Sequence, residues 1–142
     1  MGGITTRLQG KMDYTMLATN FAANKSMQIT VARRISVERW REAIMMARVH
    51  AVTPYNAGAV ITLMTQPDPY TDEDPGVIWK VPSAAGAQIS WTQGTDNVPQ
   101  AKQLPLVAPF GPLILVIWQF TMATTPVDTT ISVSIDLNLK GQ

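Results

Sequence analysis

The longest apolar run of the chain is Pro-Leu-Ile-Leu-Val-Ile-Trp-Gln-Phe-Thr-Met, Pro112–Met122. Its alternate positions are apolar in both registers: Leu113, Leu115 and Ile117 in one, and Ile114, Val116, Trp118 and Phe120 in the other. A β-strand that is apolar on both faces is normally covered on both sides. We therefore expect a central strand with one face in the core. The other face is covered either by the N-terminal arm together with residues 98–111 or by another chain. We predict a subunit contact there, placed on Ile114, Val116, Trp118 and Phe120.

The strand that follows has only one apolar face. In Thr130–Lys140, the residues Ile131, Val133, Ile135, Leu137 and Leu139 alternate with polar residues. This is the pattern of a sheet with one buried and one solvated face. Similar short segments recur along the chain between Pro-, Gly- and Asn-rich turns, giving about eight strands. The predicted fold is all-β, a two-sheet antiparallel β-sandwich of jelly-roll-like type.

Two segments before residue 53 are harder to assign. Residues 1–25 are polar and mixed, and we predict an N-terminal arm there, followed by a single β-sandwich domain over 26–142. Residues 36–52 fit a helix, with apolar residues at helical spacing, and also fit a strand, with period-two alternation. We predict a short helical turn near 37–41 and a strand over 42–52.

Composition narrows the class of protein. Charged residues make up only 15% of the chain, against about 25% in an ordinary soluble domain. A charge-poor surface is easier to bury against neighbouring molecules, which favours an assembled protein. The absence of cysteine excludes disulfides, thiol catalysis and zinc-thiolate sites. No secretory leader is recognisable, and the apolar run is too short to cross a bilayer as a helix.

The charges are unevenly divided along the chain. Residues 1–50 carry a net charge of +5 and residues 51–142 a net charge of −4. If the two parts form different surfaces, copies of the chain attract each other head to tail. The basic side of such a contact would contain Arg33, Arg34, Arg39, Trp40 and Arg41. Nucleic acid would use the same residues together with Arg48, but the overall charge of +1 argues against it.

No motif for catalysis is present: there is no Gly-x-Ser-x-Gly, no phosphate-binding Gly-rich loop, and His50 is the only histidine. The one candidate ion site is an acidic loop whose carboxylates suit calcium, formed by Asp68, Asp72, Glu73 and Asp74. Its spacing matches no EF-hand, so a solvated acidic loop is the favoured interpretation, with no cofactor required.

Carbohydrate binding is the alternative function. A β-sandwich that binds sugars needs aromatic side chains exposed on a loop or a sheet face, and the candidates are Tyr55, Tyr70, Trp79 and Trp91. For Trp79 and Trp91 the favoured interpretation is that they fill the core.

In its general strand pattern, Met27–Lys140 resembles the small β-sandwich structural proteins of virions, of the phage head decoration or minor capsid type. The resemblance rests on no diagnostic motif. It implies a protein that is not an enzyme, that associates with itself or with other capsid proteins, and that is located in the virion rather than in a membrane.

Overall fold

A computed structural model describes residues 3–36, 42–67, 87–106 and 113–141. Within these residues the chain forms eight strands and one 3₁₀ turn. The strands are β1 (Gly3–Met16), β2 (Ser26–Ser36), β3 (Glu42–Thr53), β4 (Val60–Pro67), β5 (Ala87–Thr92), β6 (Gln100–Pro105), β7 (Leu113–Thr121) and β8 (Thr129–Lys140), and the turn is Ala18–Asn20. No helix in the described part of the chain is long and apolar enough to span a membrane.

The strands form two four-stranded antiparallel sheets. Sheet A has the order β1-β8-β3-β6 and sheet B the order β2-β7-β4-β5. The pairs β1–β8, β2–β7, β3–β6 and β4–β5 are nested like the two arms of one long hairpin. This hairpin is rolled up by the further pairs β3–β8 and β4–β7. Eight antiparallel strands arranged in this way in two sheets form a jelly roll, so the predicted fold class is confirmed.

Strand β8 shows why the sequence folds into sheet A. Its inward side chains, including Ile131, Val133 and Ile135, are completely buried. Its outward side chains are polar and pair with β1, where Arg7 Nε lies 2.7 Å from Asp136 Oδ1. Strict alternation of apolar and polar residues thus places one face of β8 in the core and the other toward solvent.

Strand β7 occupies the equivalent central position in sheet B, but the assignment of its faces differs from the prediction. Val116, Trp118 and Phe120 point into the core and are at most 1% exposed. They pack inside the chain, and the subunit contact predicted on them is wrong for these three residues. The opposite face includes Leu115 and Ile117 and, toward the end of the strand, the polar residues Gln119 and Thr121.

Aromatic side chains fill the space between the sheets. The rings of Trp91 from β5 and Trp118 from β7 lie 5.8 Å apart, measured between their centroids. Phe21, just after the 3₁₀ turn, meets Phe120 edge to face at 6.1 Å. Pairs of this geometry add to the stability gained by burying their area.

The N-terminal segment is part of the sandwich. Residues 3–16, predicted to belong to an arm, form β1 and pair with β8 along its whole length. This also changes the charge prediction, because strands of the basic first part and the acidic second part alternate in sheet A and lie side by side, as β2 and β7, in sheet B. The two parts therefore do not form separate surfaces. The predicted strand over 42–52 is confirmed as β3, and the predicted helical turn at 37–41 lies outside the described residues.

A buried hydrogen bond joins β1 to sheet B. The indole Nε1 of Trp118 donates to Oε1 of Gln9 at 3.1 Å, and the amide of Gln9 also bonds the hydroxyl of Tyr14. Gln9 is 8% exposed. A register shift between Arg7 and Gln9 adds one residue to β1, and this bulge turns Gln9 inward.

We expect the substitution Gln9→Ala to destabilise the fold by about 1–3 kcal/mol, because the buried indole N–H of Trp118 loses its acceptor. Urea unfolding followed by tryptophan fluorescence measures this change. In the double variant with Trp118→Phe, the Gln9→Ala change should cost less than it does alone, since no indole N–H remains to be satisfied. Equal costs in both backgrounds would contradict the interpretation.

Candidate functional site

An open cleft of about 550 Å³ lies at one end of the sandwich. Three pieces of chain form it: the end of β3, the loop that follows β3, and the turn between β5 and β6. The lining residues are His50, Ala51, Val52, Tyr55, Gln93, Gly94, Asp96, Asn97 and Val98. The cleft thus combines one aromatic side chain, two valines and several polar groups, and its volume lies within the range of small-molecule sites.

Hydrogen bonds through the side chain and the backbone of Gln93 hold the two loops together. The Oε1 atom of Gln93 accepts from the backbone N–H of Asn56 at 2.8 Å. The backbone carbonyl of Gln93 accepts from the N–H of Gly58, also at 2.8 Å, and its N–H donates to the carbonyl of Ala59 at 2.9 Å. Gln93 is 6% exposed, and its buried side chain fixes the position of one loop relative to the other.

The position of Tyr55 depends on a glycine. Gly94 has a φ of +91°, which side-chain-bearing residues rarely adopt, and a Cβ atom there would lie 3.0 Å from the Tyr55 hydroxyl. The phenol end of Tyr55 therefore rests on the turn. The residue as a whole is 66% exposed, so much of its surface remains open to solvent.

Asp96 and Lys102 lock the turn to the edge of the sandwich. Asp96 Oδ2 accepts from the N–H of Thr92 at 2.7 Å, and Asp96 Oδ1 lies 3.0 Å from Lys102 Nζ. The hydrogen bond from the Thr92 backbone and, after it, the contact with Lys102 lower the pKa of the Asp96 carboxyl. Lys102 Nζ also donates to the carbonyl of Ser90 in β5 at 2.8 Å. Both carboxylate oxygens of Asp96 are therefore engaged in contacts that hold the turn in place.

Lys102 reaches this position from the inner face of sheet A. It lies opposite the core residue Ala47 in the β3–β6 register, and its Nζ lies 5.7 Å from the centroid of the Trp91 ring. An inward lysine on an edge strand is one of the devices that prevent edge-to-edge aggregation. Here it also closes the gap between β6 of sheet A and β5 of sheet B.

His50 forms the border between the cleft and the outer face of sheet A. Its Nε2 lies 2.9 Å from the hydroxyl of Ser134, which leaves Nδ1 for another partner. Partial burial, followed by the positive charges of Lys11 and Arg48, lowers the pKa of the imidazole, and Asp13 opposes this effect. At neutral pH the ring is uncharged and can both donate and accept a hydrogen bond.

The structure separates the aromatic residues predicted for sugar binding. Tyr55 lines the cleft, whereas Trp91 is fully buried in the core, so a binding role for Trp91 is wrong. Tyr70 and Trp79 lie outside the described residues.

The predicted interface and metal residues are mostly beyond the described part of the chain. Ile114 pairs with Ile35 in sheet B, and Arg33 and Arg34 fall at a register shift in β2. Outside the described residues lie Arg39, Trp40, Arg41, Asp68, Asp72, Glu73 and Asp74. Within the described ranges, no group of three or more His, Cys, Asp or Glu side chains comes together.

Sequence reasoning did not identify Gln93, Asn97 or Lys102. Gln93 and Asn97 flank the Gly94-Thr95-Asp96 turn, so the turn itself was recognisable. The contact between this turn and the loop at Tyr55 could not be recognised in the sequence, because it depends on the pairing of β4 with β5.

No protein-family model matches the chain, and no curated protein matches it. Similar solved structures include Desmodium yellow mottle tymovirus, at 9% identity and a TM-score of 0.33, covering 99% of this chain and 89% of that one. They also include the VP2 subviral particle of infectious bursal disease virus, at 7% identity and a TM-score of 0.38, covering 99% of this chain and 42% of that one. The chain thus spans less than half of the VP2 chain.

We expect His50 to titrate below the usual histidine range, and stability to fall as pH drops below about 6.5. The unfolded chain then takes up a proton more readily than the folded chain does, so protonation favours unfolding. Because the chain has one histidine, a single imidazole NMR signal reports the folded pKa, and urea unfolding at several pH values reports the stability.

The variant His50→Gln should lose this part of the pH dependence, and Arg48→Gln should move the pKa of His50 back toward its ordinary value. A titration midpoint at or above that of an exposed histidine would contradict the expectation.

Proposed function

We propose that this protein is a non-enzymatic structural protein that associates with copies of itself and serves as a capsid or decoration component of a virion. The observation that carries the proposal is a difference between the two side edges of the sandwich. One side edge is closed by Lys102, and the other exposes apolar side chains.

The closed side is the one formed by β5 and β6. These two strands contact each other across the sandwich, and Lys102 bridges them by bonding the Ser90 carbonyl and Asp96. Because β6 lies over β5, the opposite edge strands β1 and β2 form the second side.

We call this second side the open edge. Its most exposed apolar residues belong to β1 or directly follow it: Ile4 is 51% exposed, Met12 48% and Leu17 46%. Across from them, Met27, Ile29 and Val31 of β2 are only partly buried against the core. The open edge is therefore defined by Ile4, Met12, Leu17, Met27, Ile29 and Val31.

An apolar strip of this kind favours association. Three of the five large hydrophobic residues that are exposed in the described chain lie on the open edge, and clustered exposure of this type marks interaction surfaces. The register shifts in β1 at Arg7/Gln9 and Gln9/Met12 twist the strand and hinder simple strand-to-strand addition. We therefore expect contact through side chains, with a second copy as the occupant.

The rest of the molecule is consistent with such a role. The space between the sheets is filled by apolar side chains, and only 15% of the residues are charged. Jelly rolls are used by viral capsid proteins, by lectins and by cupins. Among these, a solid interior combined with an apolar side edge fits a shell-forming subunit best.

We expect the purified chain to form oligomers in a concentration-dependent manner, measured by light scattering coupled to size-exclusion chromatography. Met12→Lys should shift the population toward monomer, because it places a charge in the apolar contact. Electron microscopy of the concentrated protein should show closed shells or regular lattices.

The matched control is Tyr55→Lys, which places the same charge at a residue that is 66% exposed and lines the cleft at the end of β3 rather than the open edge. Circular dichroism verifies that both variants fold. A chain that remains monomeric at all accessible concentrations, or an equal effect of both lysine substitutions, would contradict the proposal.

A further inference from the structure

The cleft at Tyr55 is a feature that self-association does not explain. It lies where β3 ends and the β5–β6 turn begins, whereas the open edge is formed by β1 and β2. We propose that this cleft is a saccharide-binding site, in which Tyr55 stacks against a sugar ring and Asn97 and His50 bond its hydroxyl groups.

The first argument is that the cleft is already rigid. Its two loops are joined by three hydrogen bonds through Gln93, and the turn is fixed by the bonds of Asp96 to Thr92 and Lys102. Binding to a surface that is already ordered loses little conformational entropy. A weakly interacting ligand such as a sugar benefits most from this.

The second argument is the aromatic side chain. Tyr55 is the most exposed large hydrophobic residue of the described chain, at 66%, yet its hydroxyl rests on Gly94. An exposed ring held in this way offers a flat apolar platform. The C–H groups on one face of a pyranose are apolar and pack on such a platform, while the hydroxyl groups around its rim need polar partners.

The third argument is that the polar groups in the cleft can form hydrogen bonds with hydroxyl groups. Asn97 is exposed and lines the same cleft as Tyr55, and its amide both donates and accepts hydrogen bonds. His50 is bonded to Ser134 through Nε2, so Nδ1 is the atom that remains for a ligand. Its lowered pKa favours the neutral ring at pH 7, in which Nδ1 donates or accepts a hydrogen bond according to the tautomer. Val52 and Val98 add apolar surface to the cleft.

A nucleotide would also stack on Tyr55, but the charges disfavour it. Among the described residues that line the cleft there is one acid, Asp96, and no lysine or arginine. The nearby Lys102 is engaged by Asp96 and by the Ser90 carbonyl. Lys11 and Arg48, whose charges act on His50, are not among the residues that line the cleft. A phosphate group would therefore meet a carboxylate without a dedicated cation, whereas a neutral polyhydroxyl ligand meets no such penalty.

The experiment is an NMR titration of the full-length chain, labelled with ¹⁵N, using glucose, galactose, mannose, N-acetylglucosamine and their disaccharides as probes, and adenosine monophosphate as the competing ligand class. We expect at least one saccharide to shift the amide signals of Tyr55, Gly94 and Asn97 at millimolar concentration, and adenosine monophosphate to leave them in place.

Tyr55→Ala should weaken the binding of that saccharide about tenfold, as expected when an aromatic contact is lost. Tyr55→Phe retains the ring and should bind within about twofold of the natural chain, because the hydroxyl rests on Gly94 rather than facing the ligand. Asn97→Ala, in an exposed turn that tolerates the change, provides a second variant that weakens binding.

Ile4→Ala is the matched control, because it truncates an exposed apolar side chain on the open edge and should leave saccharide binding unchanged. The proposal is overturned if no saccharide of the panel shifts these signals in the folded chain. It is also overturned if Tyr55→Ala binds as well as the natural chain, or if only adenosine monophosphate binds. None of these results bears on self-association, which is measured separately.

Discussion

The nested antiparallel pairing around β7 and β8 is the constraint on which the rest of the structure depends. Each of these two strands is paired on both sides, β8 with β1 and β3, and β7 with β2 and β4. Their inward side chains, among them Trp118 and Ile135, form the centre of the core. Because both strands come late in the sequence and pair with earlier ones, most contacts join residues that are distant along the chain. Such a topology is associated with slow folding.

The two side edges of the sandwich differ in how their edge strands are joined. On one, the inward Lys102 uses its charge to join β6 to β5 and to fix the turn that borders the cleft. On the other, Gln9 ties β1 to Trp118 inside the core, but the apolar residues of β1 and β2 outside this bond remain partly exposed. The cleft and the open edge are therefore consequences of how each pair of edge strands is joined.

Most of the sandwich could be predicted from local patterns. Two antiparallel sheets are indicated by the sequence alone, through the alternation in β8, the Pro- and Gly-rich turns and the two apolar faces of β7. For β7, however, the pattern did not indicate which face lies inward, since both faces are apolar near its start. For the candidate site, the sequence singled out Tyr55 but grouped it with Trp91, which lies in the core. An aromatic side chain looks the same in sequence whether its surroundings are protein or water.

The amino-acid sequence by itself determined the fold class, the positions of most strands and the strictly alternating face of β8, because these follow from periodicity and turn chemistry within a few residues. Only the tertiary structure decided that residues 3–16 join the sandwich, that Gln9 turns inward, and that Lys102 closes one edge. A β-bulge reverses the side of every later residue in its strand, and Lys102 finds its partners on a strand of the other sheet. Such contacts depend on register and on distant neighbours, which no local pattern encodes.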